Sequence, residues 1–233
     1  MRIEHKKVVK VDELAHLVPT KAGATFSQLW QILYYTRLFK YVRYEHYQQI
    51  KPAYKKIATY KNLQELCHLG YLFSPQHEVY CATDKVLPIL QGAGYNIALL
   101  PSKPTGTGNI NELNNTDVFI RLTKSEHFYT LLFPQFGYII PDALLVELDK
   151  ENRRYKLTFI EVEAKKPKWD EYIEVKRGNY LKLSQDIAVY NEWRRCCEKL
   201  SLPVPTVENF CFSVSFYGSI KKDFGEHFNF IDV

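Results

Sequence analysis

The sequence predicts an α/β (α+β) chain in two parts, and three observations carry that prediction. Residues 1–96 read as short helices around one small hairpin. Residues 109–233 read as helices around two long runs rich in β-branched and aromatic residues. Between them, residues 97–108 hold Pro101, Pro104, Gly106 and Gly108 with Ser and Thr, the composition of a linker.

The first part begins with an amphipathic segment, Val11 to Leu17. Thr25 or Ser27 caps a helix through Leu29, Ile32, Leu33, Leu38 and Phe39. After Pro52 a second helix runs from Ala53 to Leu69 and stops at Gly70. Tyr71 to Phe73 and Val79 to Cys81 form two short strands, and a helix follows from Thr83 to about Gln91. Helix, helix, hairpin, helix is the order of a winged helix, whose second packed helix commonly enters the major groove of DNA. Lys51, Lys55, Lys56, Thr59, Tyr60, Lys61 and Asn62 lie at or near the start of that helix and are the candidate DNA contacts. Up to Asn96 there are 13 Lys and Arg against 7 Asp and Glu, so the basic excess of a chain of net charge +5 lies here. Such an excess attracts phosphate, and it equally suits a solvated surface. The aromatic group Trp30, Tyr34, Tyr35, Phe39, Tyr41, Tyr44 and Tyr47 reads as core rather than as a base-stacking platform.

In the second part, Asn109 to Thr123 reads as a helix carrying Glu112 and Asp117. Gly137 to Leu148 and Leu157 to Lys165 read as adjacent strands around the charged loop Asp149 to Arg153. Alternation places Glu161, Glu163 and Lys165 on one face and Ile160, Val162 and Ala164 on the other. Antiparallel pairing brings Asp142 toward the end of the second strand, near Glu163 and Lys165. Two carboxylates with the Ala164 carbonyl suit a hard cation, Mg²⁺ or Mn²⁺, and a lysine beside it can orient or deprotonate water. The same charges also fit an exposed outer face joined by surface ion pairs. Past a loop at Lys166 to Trp169, a long helix is expected from Gly178 or Asn179 to about Leu200, followed by a strand from Phe210 to Tyr217.

Pro141-Asp142, 21 positions, then Glu163-Ala164-Lys165 resembles the signature of the PD-(D/E)xK nuclease superfamily, the restriction-endonuclease-like proteins. The resemblance implies a small mixed sheet with the motif on neighbouring strands, one helix before it and one after. It implies metal-dependent hydrolysis of DNA phosphodiesters with Asp142, Glu163 and Lys165 catalytic. It also implies a further acid from the preceding helix, Glu112 or in reserve Asp117, although helix capping or a surface role explains either acid equally well. Gln185 with Tyr190 is similar to a glutamine-and-tyrosine helix motif of that superfamily, with a spacing one residue longer. Leu66 to Leu72, Gly94-Tyr95 and Glu112 to Val118 resemble the plasmid replication-relaxation family, which joins a winged helix to a nuclease-like half.

These readings give an expected partner, double-stranded or branched DNA, and a homodimer to cut both strands. The alternative is an inactive DNA-binding accessory protein of a plasmid, phage or other mobile element. No apolar run approaches the roughly 18 residues of a membrane span, and Met1 to Lys7 lacks a signal-peptide core, so a cytoplasmic location is expected. The five cysteines show no CxxC pair and read as reduced thiols.

Overall fold

The computed structural model describes residues 11–18, 25–106, 110–135, 139–149, 151, 154–163, 168–183, 185–199, 213–217 and 228–231. The fold is mixed α and β, in two compact units, Met1–Ile120 and Arg121–Val233.

In the first unit, α1 spans Phe26–Phe39 and begins at the expected cap. The Thr25 N–H donates to the Gln28 side chain at 3.0 Å, and the Gln28 N–H donates to the Thr25 hydroxyl at 3.4 Å, a reciprocal capping box. Leu29, Ile32, Leu33, Leu38 and Phe39 are buried along one stripe of α1. A two-residue strand, β1 (Val42–Arg43), and a short helix, α2 (His46–Ile50), follow; neither is evident in the sequence.

The helix expected over 53–69 is two pieces: a 3₁₀ turn at Pro52–Lys56 and α3 at Tyr60–His68. Polar side chains cause the break. The Thr59 hydroxyl accepts from the Asn62 N–H at 3.2 Å, and the Asn62 amide donates to the Ile57 carbonyl at 2.8 Å, bonds that compete with a continuous helical ladder. At the other end Gly70, with φ +75°, turns the chain out of α3. The Tyr71 N–H returns to the Leu66 carbonyl and the Gly70 N–H to the Cys67 carbonyl, a Schellman closure.

β2 (Leu72–Gln76) and β3 (Val79–Ala82) form the expected hairpin, and β1 adds to the free side of β3, giving the order β1-β3-β2. After a turn at Asp84–Val86, α4 covers Leu87–Gly92. The stretch read as a linker contains a further 3₁₀ turn, Ile97–Leu99.

α5 (Ile110–Leu122) packs with this first unit. Leu113 joins Tyr41, Val79 and Cys81 in one apolar cluster, and the Thr116 hydroxyl donates to the Tyr41 carbonyl at 2.6 Å. The second unit therefore begins at Arg121 rather than at Asn109.

α5 also brings Asp117 to a buried histidine. The His46 Nδ1 accepts from the Arg43 N–H at 3.1 Å, which places its proton on Nε2, 3.1 Å from Asp117 Oδ1 but off the line of a good hydrogen bond. Burial lowers the His46 pKa, and the nearby Arg43 charge adds to that, against the pull of Asp117 and Glu45. An unfolded histidine takes its proton near pH 6.5, whereas buried His46 does so only at lower pH. Stability is accordingly full above that pH and lost as pH falls below it. Urea midpoints at pH 7.5 and pH 5.5 are expected to fall further on acidification in the wild type than in His46→Gln; equal falls would exclude this role.

The second unit is a five-stranded mixed sheet in the order β4-β5-β6-β7-β8, formed by Phe128–Leu132, Ala143–Asp149, Arg154–Val162, Ser213–Tyr217 and Phe228–Ile231. β5 and β6 pair antiparallel from Asp149↔Arg154 to Ala143↔Ile160, which closes the hairpin across the predicted charged loop. β7 joins β6 in parallel, Thr158↔Ser213 to Val162↔Tyr217, and β8 continues in parallel. A parallel neighbour requires a long crossover, here α6 (Trp169–Leu183) and α7 (Ile187–Lys199). The single helix expected from 178 to 200 is thus two helices, and the first starts some ten residues earlier. Ala143, Leu144, Leu145 and Val146 are all buried, the signature of a strand covered on both faces. Leu131, Leu132, Phe159, Ile160, Ile173, Tyr180, Tyr190 and Cys197 complete the core around it.

Candidate functional site

At the end of the β5–β6 hairpin the chain gathers its carboxylates. Continuing the register one step past Ala143↔Ile160 sets Asp142 opposite Glu161 and diagonal to Glu163, all on one face. Asp142 is anchored there because the Val162 N–H donates to its Oδ2 at 2.8 Å. Phe159 shares that face, and its ring lies 5.3 Å from that of Tyr180 on α6. α6 therefore covers the face that alternation assigned to the charges.

Three α6 side chains, four residues apart, meet the glutamates. The Tyr172 hydroxyl donates to Glu163 Oε1 at 2.6 Å, and the Tyr180 hydroxyl donates to Glu161 Oε1 at 2.6 Å. Between them the Lys176 ammonium donates to Glu161 Oε2 at 2.6 Å and also to Glu163 Oε1. Lys176 Nζ also lies 5.4 Å from the centre of the Tyr172 ring. Glu161 and Glu163 are only 3% and 8% exposed, so the alternative of an exposed, charged outer face does not hold for them. The Lys176 side chain keeps 22% exposure, and Tyr172 is likewise half-buried, whereas both glutamates and Tyr180 are buried.

Burial fixes the electrostatics. It pushes Glu161 up to about 7, against the Lys176 and Tyr180 bonds that favour its anion. Burial alone would lower Lys176, but the Glu161 and Glu163 carboxylates outweigh it and hold the amine above its ordinary value, so it stays an ammonium. Tyr180 is raised by burial and then by the Glu161 charge, so it remains a hydrogen-bond donor.

Of the residues the sequence singled out, Asp142 and Glu163 come to one end of the sheet, while Ala164 and Lys165 lie outside the described residues. Glu112 and Asp117 have surroundings in the first unit: the Glu112 charge adds to the burial that pushes the Cys81 thiol up to about 12, and Asp117 faces His46. Gln185 sits exposed in the turn after α6, its N–H on the Lys182 carbonyl, so the helix on which it was aligned with Tyr190 is interrupted. Tyr172, Lys176 and Tyr180 were not picked out, and Glu161 was read only as sharing a strand face with Glu163. Their signal was the match between alternate residues on β6 and every fourth residue on α6.

The sequence-predicted DNA contacts fall in two sets. Lys51, Lys55, Lys56, Tyr60 and Lys61 are exposed around the start of α3. Thr59 and Asn62 are engaged locally, Thr59 as the cap and Asn62 through bonds to the Ile57 and Leu17 carbonyls. Of the aromatic group, Phe39, Tyr41 and Tyr47 are buried, whereas Tyr34 stacks half-buried on Tyr95 with ring centres 4.6 Å apart. Cys67, Cys81 and Cys197 are free thiols.

Compared with known proteins, the chain matches no family model, no curated protein and no solved structure. Among the described residues, no helix is long and apolar enough to cross a membrane, and no group of three or more His, Cys, Asp or Glu side chains is arranged to hold a metal ion.

Proposed function

We propose that the protein is a divalent-metal-dependent DNA endonuclease of the PD-(D/E)xK type, with a winged-helix first unit that binds DNA. The observation that carries this reading is that Asp142 and Glu163 lie at the same end of two paired strands of a mixed sheet, with Asp142 bonded to the Val162 N–H and a helix following. The helix, helix, hairpin, helix order around β2 and β3 supports the winged-helix part.

The donor set fits a hard cation. The donors that Asp142 and Glu163 offer are all oxygens, the ligands a hard cation takes. Mg²⁺ typically takes one or two carboxylates and completes its shell with water and phosphate oxygens, so Asp142 and Glu163 with the Ala164 carbonyl suffice. Bound there, the ion supplies Lewis-acid stabilisation of charge on the phosphoryl and leaving oxygens. The chain does the rest. The Val162 N–H fixes the Asp142 carboxylate, Tyr172 and Lys176 fix Glu163, and Lys165 orients the attacking water or takes its proton. Cutting both strands of a duplex needs two such sites, hence a homodimer.

In the first unit the exposed lysines around α3 supply phosphate contacts. Lys55→Ala with Lys56→Ala is expected to weaken binding and to flatten the plot of log affinity against log salt by about 1.8, roughly 0.9 per lost contact. An unchanged slope would place DNA elsewhere.

A second reading has its own observation. Tyr172, Lys176 and Tyr180 satisfy both glutamates as a structural network does, which suits an inactive DNA-binding accessory protein of a mobile element. Supercoiled plasmid and a branched junction, incubated with Mg²⁺, Mn²⁺ or EDTA, separate the two. Metal-dependent cutting that Lys165→Ala loses supports the nuclease, and binding without cutting supports the accessory protein.

A further inference from the structure

We propose that the Lys176 ammonium fills the position of a second cation, so that this end of the sheet takes one divalent ion per chain rather than two. The inference rests on the nuclease reading above. Two-metal phosphodiesterases hold their ions about 3.5–4 Å apart. Here Glu163 holds the Lys176 ammonium on its Oε1, and the proposed function also gives Glu163 to the ion that Asp142 would hold. The ammonium also bonds Glu161 at 2.6 Å, so it bridges two carboxylates as a metal ion would.

Packing makes the substitution specific. Lys176 is carried on α6 between Tyr172 and Tyr180: Tyr180 donates to the Glu161 oxygen that Lys176 leaves, and Tyr172 donates to the same Glu163 Oε1 that Lys176 bonds. The two carboxylates are therefore oriented toward a fixed positive charge that needs no metal. Because Lys176 retains 22% exposure, an ion from solvent can reach this position once the side chain is removed.

The test is Mn²⁺ stoichiometry on the full chain, by calorimetry and by the paramagnetic resonance signal of free Mn²⁺. The expected counts are one ion in the wild type, none in Asp142→Ala, two in Lys176→Met and one in Lys176→Arg. Mn²⁺ is also expected to raise the melting temperature of Lys176→Met by more than that of the wild type, since the ion replaces a lost charge.

Two ions in the wild type overturn the proposal and leave the nuclease reading standing. One ion in Lys176→Met does the same, as does a Lys176→Met chain that Mn²⁺ fails to stabilise or to fold. A wild type that binds no Mn²⁺ at millimolar concentration overturns the metallonuclease reading and this inference with it.

Discussion

Asp142→Ala and Lys165→Ala are each expected to lower the cleavage rate by at least about 10³-fold while DNA affinity stays within a few-fold of wild type. In the proposed nuclease a positioned proton-transfer group would contribute roughly 10²–10⁴-fold, and loss of a carboxylate that would hold the ion would also remove the charge stabilisation the ion would supply. Affinity draws on phosphate contacts, which the proposed function assigns to the lysines of the first unit. Single-turnover cleavage and equilibrium binding on the same duplex measure the two quantities. A fall in affinity that matches the fall in rate would end this division of labour, because the second unit would then also be the binding unit.

Lys176→Met is expected to destabilise the second unit by about 3–5 kcal/mol in metal-free buffer, the range for removing one partner from a buried ion pair. The reason is the company it keeps. Glu161 and Glu163 are 3% and 8% exposed, and without the ammonium two buried carboxylates face each other across a position left without charge. Adding Glu161→Gln to Lys176→Met is expected to recover part of that loss at pH 9, well above the value of about 7 to which burial already raises Glu161. There the folded chain must either bury that charge without the ammonium or hold the acid protonated. Urea denaturation of the single and double variants in EDTA decides the matter. If the double variant were no more stable than Lys176→Met, repulsion between the carboxylates would not be the source of the cost.

The hairpin was legible because its signals are local. Alternating apolar residues, a charged loop and Pro141 before Asp142 fix strand, turn and register within some twenty positions, and the pairing of Asp149 with Arg154 follows. What covers a strand face is not local. Alternation says that Glu161 and Glu163 share a side, but whether that side meets water or a helix depends on a segment not yet placed.

α6 was the missing segment. Gly178 and Asn179 read as a helix start because glycine costs about 0.5–1 kcal/mol inside a helix. In the fold they sit within α6, where the bonds of Tyr172, Lys176 and Tyr180 and the burial of Ile173 and Tyr180 outweigh that cost. In the first unit the error ran the other way. Apolar spacing from Ile57 to Leu69 matched one helix, and the side chains of Thr59 and Asn62 divided it. β4 and β8 are four or five residues long, too short for periodicity to distinguish from buried helix.

The contact between β6 and α6 depends on a near coincidence of two step lengths. Two residues of strand advance about 6.6 Å and four residues of helix about 6.0 Å, so alternate glutamates and every fourth α6 side chain stay in phase over this short stretch. Each glutamate consequently falls between two successive donors: Glu163 between Tyr172 and Lys176, Glu161 between Lys176 and Tyr180. Sliding α6 by one residue turns its donors by about 100° and empties both notches, whereas a slide of four residues brings a new trio into the same places. The helix is thus held against the sheet like a rack in a pinion, with a spacing that admits whole steps and nothing between.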